Sequence, residues 1–126
     1  MYQGVWWYIA SRMALVFTAI TLTAASNGLL GMAAVGANAE ITAYNPQTGY
    51  AYTVGGGSGA IAVSDLRNPA QPVVVAVAKP ADSSQTLQSA AVFGKLLAVA
   101  VQNSIKTEAG FVQFYDLSNP ALPVHI

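Results

Sequence analysis

The sequence predicts an all-β fold of two like units, each a four-stranded antiparallel sheet, behind an N-terminal hydrophobic leader. Three observations predict it. The phrase DLRNPAQPV at 65–73 returns as DLSNPALPV at 116–124, seven of nine positions identical at an interval of 51 residues. Fixed-period similarity in that range marks stacked structural units. Hydrophobic residues make up 54% of the 126, but they fall in runs of strand length bounded by Gly, Pro and Asn. No stretch beyond the leader keeps the 3.6-residue recurrence of an amphipathic helix.

The totals exclude several function classes. The formal net charge is +0 with only 8% charged residues, which removes the basic footprint of a nucleic-acid binder. Cysteine is absent, so a disulfide framework, a thiolate metal site and a cysteine nucleophile are all excluded.

The leader comes first along the chain. MALVFTAITLTAA at 13–25 follows Arg12 and has thirteen apolar or small residues, the size of a signal-peptide core and short of the roughly 20 that span a bilayer. Trp6, Trp7 and Tyr8 stand where several basic residues are usual, yet export is the reading that follows. Small-residue cleavage patterns end at Ala25 (TAA) and at Ala39 (ANA). The boundaries expected are therefore a leader at 1–25 and a repeat region at 26–126. The earlier cut keeps GLLGMAAV at 28–35 as a strand, expected to pair as the outer strand of a last unit; the later cut discards it.

The first unit, 40–79, reads as EITAY (40–44), the turn NPQTG (45–49), YAYTV (50–54), GGGSG (55–59), AIAVSDL (60–66), the repeated phrase, then VVVAVA (73–78) closed by Lys79 and Pro80. The second, incomplete unit, 86–126, follows the same order. It has TLQSAAVF (86–93), a tight turn at Gly94 and Lys95, LLAVAVQ (96–102), the loop NSIKTEAG (103–110), FVQFYDL (111–117), and a fourth strand barely begun at Ile126. Four antiparallel strands per unit of about 40 to 50 residues is the blade of a β-propeller. The expected architecture is thus a partial β-propeller of about two blades. Two blades cannot close a ring, so an exposed apolar face and the remaining blades as partners are expected with it.

Aligning the third strands sets Ile61 and Val63 on Val112 and Phe114, which predicts the same buried face in both units. Tyr44, Tyr50, Tyr52 and Tyr115 are expected between the blades. The repeated phrase reads as a corner between third and fourth strands. Asp65 and Asp116 cap the turn, Asn68-Pro69 and Asn119-Pro120 start the corner, and the second Pro stands where a missing N–H costs no ladder bond.

Little in the chain points to chemistry. GGGSG follows a strand, but phosphate-binding versions need a following helix or a Lys-Ser/Thr pair, and AIAV follows instead. His125 is the only histidine and has no carboxylate near it in sequence, so neither a metal site nor a serine triad has its parts. Glu40, Asp65, Asp82, Glu108 and Asp116 are scattered, without calcium-loop spacing. No catalytic, cofactor or metal residue is therefore assigned, and no cofactor is expected. The polar loop at 103–110, with Asn103, Lys106 and Glu108, is the leading candidate for a contact surface.

AEITAYNPQTGYAYTV, IAVSDLRNPAQPV and GFVQFYDLSNPALPV resemble the N-terminal blades of the choice-of-anchor I domain, an extracellular bacterial β-propeller. The corner is similar to the D(L/V)S(D/N)PxxP of LVIVD-type repeats. The resemblance implies an extracytoplasmic protein, secreted, periplasmic or on the cell surface. It implies a binding or scaffolding module whose loops meet a protein, glycan or envelope component. Some relatives carry phytase or alkaline-phosphatase labels, which implies as the alternative a phosphoesterase whose catalytic residues lie outside this chain.

Overall fold

A computed structural model describes residues 29–36, 38–55, 59–80 and 85–126. The leader, its Ala25 boundary and Asp82 lie outside the described residues. Among the described residues eight strands follow in order: β1 (Ile41–Asn45), β2 (Tyr50–Val54), β3 (Ile61–Asp65), β4 (Val73–Ala78), β5 (Thr86–Phe93), β6 (Leu96–Gln102), β7 (Phe111–Asp116) and β8 (Val124–His125). They form two four-stranded antiparallel sheets, ordered β1-β2-β3-β4 and β5-β6-β7-β8, with no helix among the described residues. Within each sheet every strand therefore pairs with its neighbour in sequence.

The reversals are set by local chemistry. After β1, the Asn45 side-chain oxygen accepts from Gln47 N at 3.0 Å and its carbonyl from Gly49 N at 2.9 Å. Gly49 has φ +76°, a conformation that only glycine adopts freely. After β5, Gly94 at φ +56° makes the two-residue turn with Lys95. The units are also closed alike, since Leu66 N donates to Gly49 O and Leu117 N to Lys95 O, both at 2.8 Å.

The core lies between the sheets. Tyr50, Tyr52, Val54, Ile61 and Val63 of the first pack with Leu87, Leu97, Val99, Val101 and Tyr115 of the second, with β1 and β2 lying against β5. Burial of such side chains stabilises by about 1.5–3 kcal/mol each. Asn45 Nδ2 donates across the seam to Gly94 O at 2.8 Å, and the Tyr52 hydroxyl donates across it to Pro120 O at 2.9 Å.

The faces differ from the expectation in an informative way. Ile61 and Val63 are 0% exposed, whereas their counterparts Val112 and Phe114 are 52% and 44% exposed. The sheets stack head to tail, so the Val63 face of the first meets the opposite face of the second, which carries Gln113 and Tyr115. Equivalent residues consequently meet different surroundings. Tyr44, expected between the sheets, is half exposed because it alternates to the outer side of β1.

Residues 29–36 belong to neither sheet, and the last unit whose outer strand 28–35 was expected to form is not among the described residues. They run without ladder pairing beside the first sheet, and Gly31 sits on the first corner, where an added Cβ would lie 2.6 Å from Pro69 O and from Pro72 Cδ. They thus lie on the first sheet.

Candidate contact surfaces

The corners are built from side-chain caps. At the end of β3, Asp65 Oδ1 accepts from Arg67 N at 3.0 Å, and Asn68 Oδ1 accepts from Ala70 N at 3.2 Å. At the end of β7, Asp116 Oδ1 accepts from Ser118 N at 3.0 Å, and Asn119 Oδ1 from Ala121 N at 3.1 Å. Pro69 and Pro120 follow those asparagines directly. Two successive Asx turns fold each corner, the local chemistry for which Asp and Asn suit turns.

The corners differ at two positions, Arg67 against Ser118 and Gln71 against Leu122, and the first of these changes the chemistry. Arg67 returns its guanidinium to Asp65, with Nη2 to Oδ2 at 2.6 Å and Nε to Oδ1 at 2.9 Å, and its Cζ stands 5.3 Å from the centre of the Tyr50 ring. Hydrogen bonds from the Arg67 side chain, then from its backbone N–H, hold the Asp65 carboxyl down to about 2. The same partnership pushes the guanidinium upward. A shallow depression of about 340 Å³ opens here between Asp65, Arg67, Asn68, Gln71 and Val73. Its two charges already neutralise one another, so it offers neither an uncompensated cation nor a free base.

The second corner has Ser118 in place of Arg67, and its hydroxyl donates to Asp116 Oδ1 at 2.9 Å. Among the described residues the Arg67–Asp65 pair is the sole ion pair.

The 103–110 loop is tied by Asn103. Its amide Nδ2 donates to Glu108 Oε2 at 3.0 Å, and its Oδ1 accepts from Ile105 N at 3.0 Å. Glu108 N closes the inner turn on Ile105 O at 2.9 Å. Asn103 and Glu108 thus shape the loop, while Lys106 and the 55%-exposed Ile105 stand outward at its tip. Ile105 was missed in the sequence because an isolated apolar residue in a polar loop carries no periodic signal.

A third surface is the open face of the second sheet. Phe93, Leu96, Val112, Phe114 and Val124 share it by strand register and are all exposed. The opposite face is buried although it carries Gln113, because its polar atoms are matched. Gln113 Nε2 donates to Gln85 Oε1 at 2.9 Å, and the Tyr115 hydroxyl donates to Gln113 Oε1 at 2.8 Å. Burial pushes the Tyr115 phenol upward, and His125 meets that ring edge-on at 5.4 Å.

Nothing described assembles reactive groups. Among the described residues no three His, Asp or Glu side chains gather to hold a metal. Of GGGSG, residues 56–58 lie outside the described residues. Gly55 has a packing role, since a Cβ there would collide with the backbone of Asn38.

Fold and surfaces define a class: an all-β repeat protein of two like sheets with matching Asx corners and one open apolar face. The comparisons name the family. Residues 40–124, more than half of the chain, match the choice-of-anchor I domain, and the chain belongs to that family. No curated protein matches the chain, and no solved structure does. The family's name implies anchoring at the bacterial cell surface, and at that level the protein is a surface-associated repeat module.

Proposed function

We propose that the two sheets are adjacent blades of a β-propeller (blades at 40–79 and 86–126), exported behind the 1–25 leader. In this reading the protein serves outside the cytoplasm as a binding or scaffolding module. The observation that supports it is the head-to-tail stacking, which buries Val63 and leaves its counterpart Phe114 44% exposed. Radial repetition of blades uses that arrangement. The open face suits a further blade, and the tied loop at 103–110 presents Ile105 and Lys106 to a protein, glycan or envelope component.

Co-sedimentation with cell-envelope fragments tests the binding role. The full-length gene product is expected in the envelope fraction, and a triple Ile105→Ala, Lys106→Ala, Glu108→Ala variant is expected to lose most of that retention. Undiminished retention of the variant removes the loop from the interface. A wild-type protein that stays wholly in the supernatant ends the binding reading.

A further inference from the structure

The seam shows which faces of these sheets meet: Ile61 and Val63 of the first lie on the side turned to Leu97, Val99, Gln113 and Tyr115 of the second. By the repeat, each half of that contact has a counterpart on the outside of the pair. Val112 and Phe114 stand for Ile61 and Val63 on the open face of the second sheet. Ala51, Thr53, Ala62 and Ser64 stand for Leu97, Val99, Gln113 and Tyr115 on the outer face of the first. The two outer faces are therefore matched to one another, and none of the residues named carries a charge.

They are not equally free. Val112 and Phe114 are exposed, whereas Ala51, Thr53, Ala62 and Ser64 are between 2% and 6% exposed, because residues 29–36 lie over them. Gly31 rests on the first corner, and Val35 and Gly36 line a small cleft of about 150 Å³ with Thr53, Ala62 and Val77. Gly31, Ala33 and Val35 are half-buried and Leu30, Met32 and Ala34 exposed, the alternation of an extended segment with one side against a surface. The floor suits a single chain. Where the second sheet turns Leu, Val, Gln and Tyr to the seam, the first turns Ala, Thr, Ala and Ser outward, so an extended segment sits close where a whole sheet would stand about 10 Å away. The hold is light. Among the described residues no ladder ties 29–36 to a strand, and the buried Ser64 hydroxyl on the covered face has no partner, whereas its counterpart Tyr115 bonds Gln113.

We infer that residues 29–36 are a removable cap that keeps a second copy of this chain from stacking its open face on the first sheet. Without the cap, the Val112 and Phe114 face of one copy meets the Ala62 and Ser64 face of the next and repeats the internal seam between molecules. Such a contact is heterologous and joins copies in line, into a ring or an open filament. The cap leaves one open apolar face with no matching face to receive it.

Sedimentation velocity tests this, at a concentration where the wild type is monomeric. In Gly31→Val the new Cβ meets Pro69 O and Pro72 Cδ at 2.6 Å, which lifts the segment. This variant is expected to form species larger than a dimer, raising the mean mass about threefold or more, and adding Phe114→Ser is expected to return it to one copy. The double variant mixed with wild type is expected to give a one-to-one pair and nothing larger, since one offers the floor and the other the open face. Gly31→Val at the wild-type mass overturns the inference, as does association that survives Phe114→Ser. Circular dichroism reports whether the strands persist, and Val35→Asp lifts the cleft end of the cap independently. Loss of strand signal in both variants would show a segment the sheet cannot do without, which also overturns a removable cap. Envelope retention is read at the 103–110 loop, so either proposal can fail alone.

Discussion

Replacing Tyr52 by Phe deletes one oxygen from the seam between the sheets and leaves the ring in place. Tyr52 is 0% exposed, and its hydroxyl bonds Pro120 O at 2.9 Å in the other sheet's corner. Because Pro120 lies partly exposed, its carbonyl regains water, and the net loss is about 1 kcal/mol. For a unit of this size that lowers Tm by about 4–8 °C. The same hydroxyl sets an alkaline limb. Burial, and secondarily the neighbouring Tyr50, push its ionisation from 10.0 up to about 12. A phenol with a raised folded value keeps its proton after the unfolded chain has lost it. Stability is therefore whole below pH 10 and falls as pH rises toward 12, by roughly 2 kcal/mol for this group. Tyr115 adds to the limb in both proteins. Urea titrations should show a lower midpoint for Tyr52→Phe at pH 8 with an unchanged m value, and a difference that shrinks and reverses between pH 10 and 12. Equal midpoints at pH 8 with parallel alkaline limbs would refute the seam bond.

Four further outcomes follow from the same geometry. Leu97→Ala, at a 0%-exposed position in the seam, should cost about 2–5 kcal/mol in urea unfolding, whereas Val112→Ala on the open face should change it by less than about 0.5 kcal/mol. The Asp65 carboxyl should titrate near 2 by carbon NMR and rise in Arg67→Ala, though not fully to the ordinary carboxylate range, because the backbone N–H of residue 67 still donates to it; because its folded value is depressed, its contribution is present above about pH 4 and lost as pH falls toward 2. Gly49→Ala should destabilise more than Gly94→Ala: both sit at positive φ, but only at Gly49 would the new Cβ press on a neighbour, Arg67 Cγ at 2.6 Å. The pair Phe93→Ser and Phe114→Ser should reduce concentration-dependent self-association in light scattering while leaving the unfolding midpoint nearly fixed; association unchanged by the pair would show that the open face is not the sticky one.

The strands themselves were largely legible. YAYTV, VVVAVA, TLQSAAVF and LLAVAVQ coincide with β2, β4, β5 and β6, because Gly, Pro and Asn at their ends leave the ladder no other place to stop. The family was legible too, since the corner phrase is copied almost letter for letter and its match spans both sheets. Residues 29–36 stand outside both ladders, since Leu, Met, Ala and Val suit a ladder strand or a segment laid on a sheet equally well. Composition does not say whether a neighbouring backbone is there to pair.

Which face each sheet would bury was not legible, and hydrophobicity pointed the wrong way. Val112 and Phe114 are more apolar than Gln113 and Tyr115, yet the second pair is buried, at 6% and 1% exposed. Two facts outweigh the ranking. Gln113 finds its amide partner in Gln85, 28 positions away, and accepts from Tyr115 on the same strand, so its burial leaves no polar atom unmatched. And in a head-to-tail stack the neighbour, not the side chain, decides which face is covered. The first sheet, with the second on one side and residues 29–36 on the other, hides Ile61 and Ala62 alike. The second sheet has a neighbour on one side only among the described residues, so its apolar face stays open for the reason that its counterpart Val63 is closed.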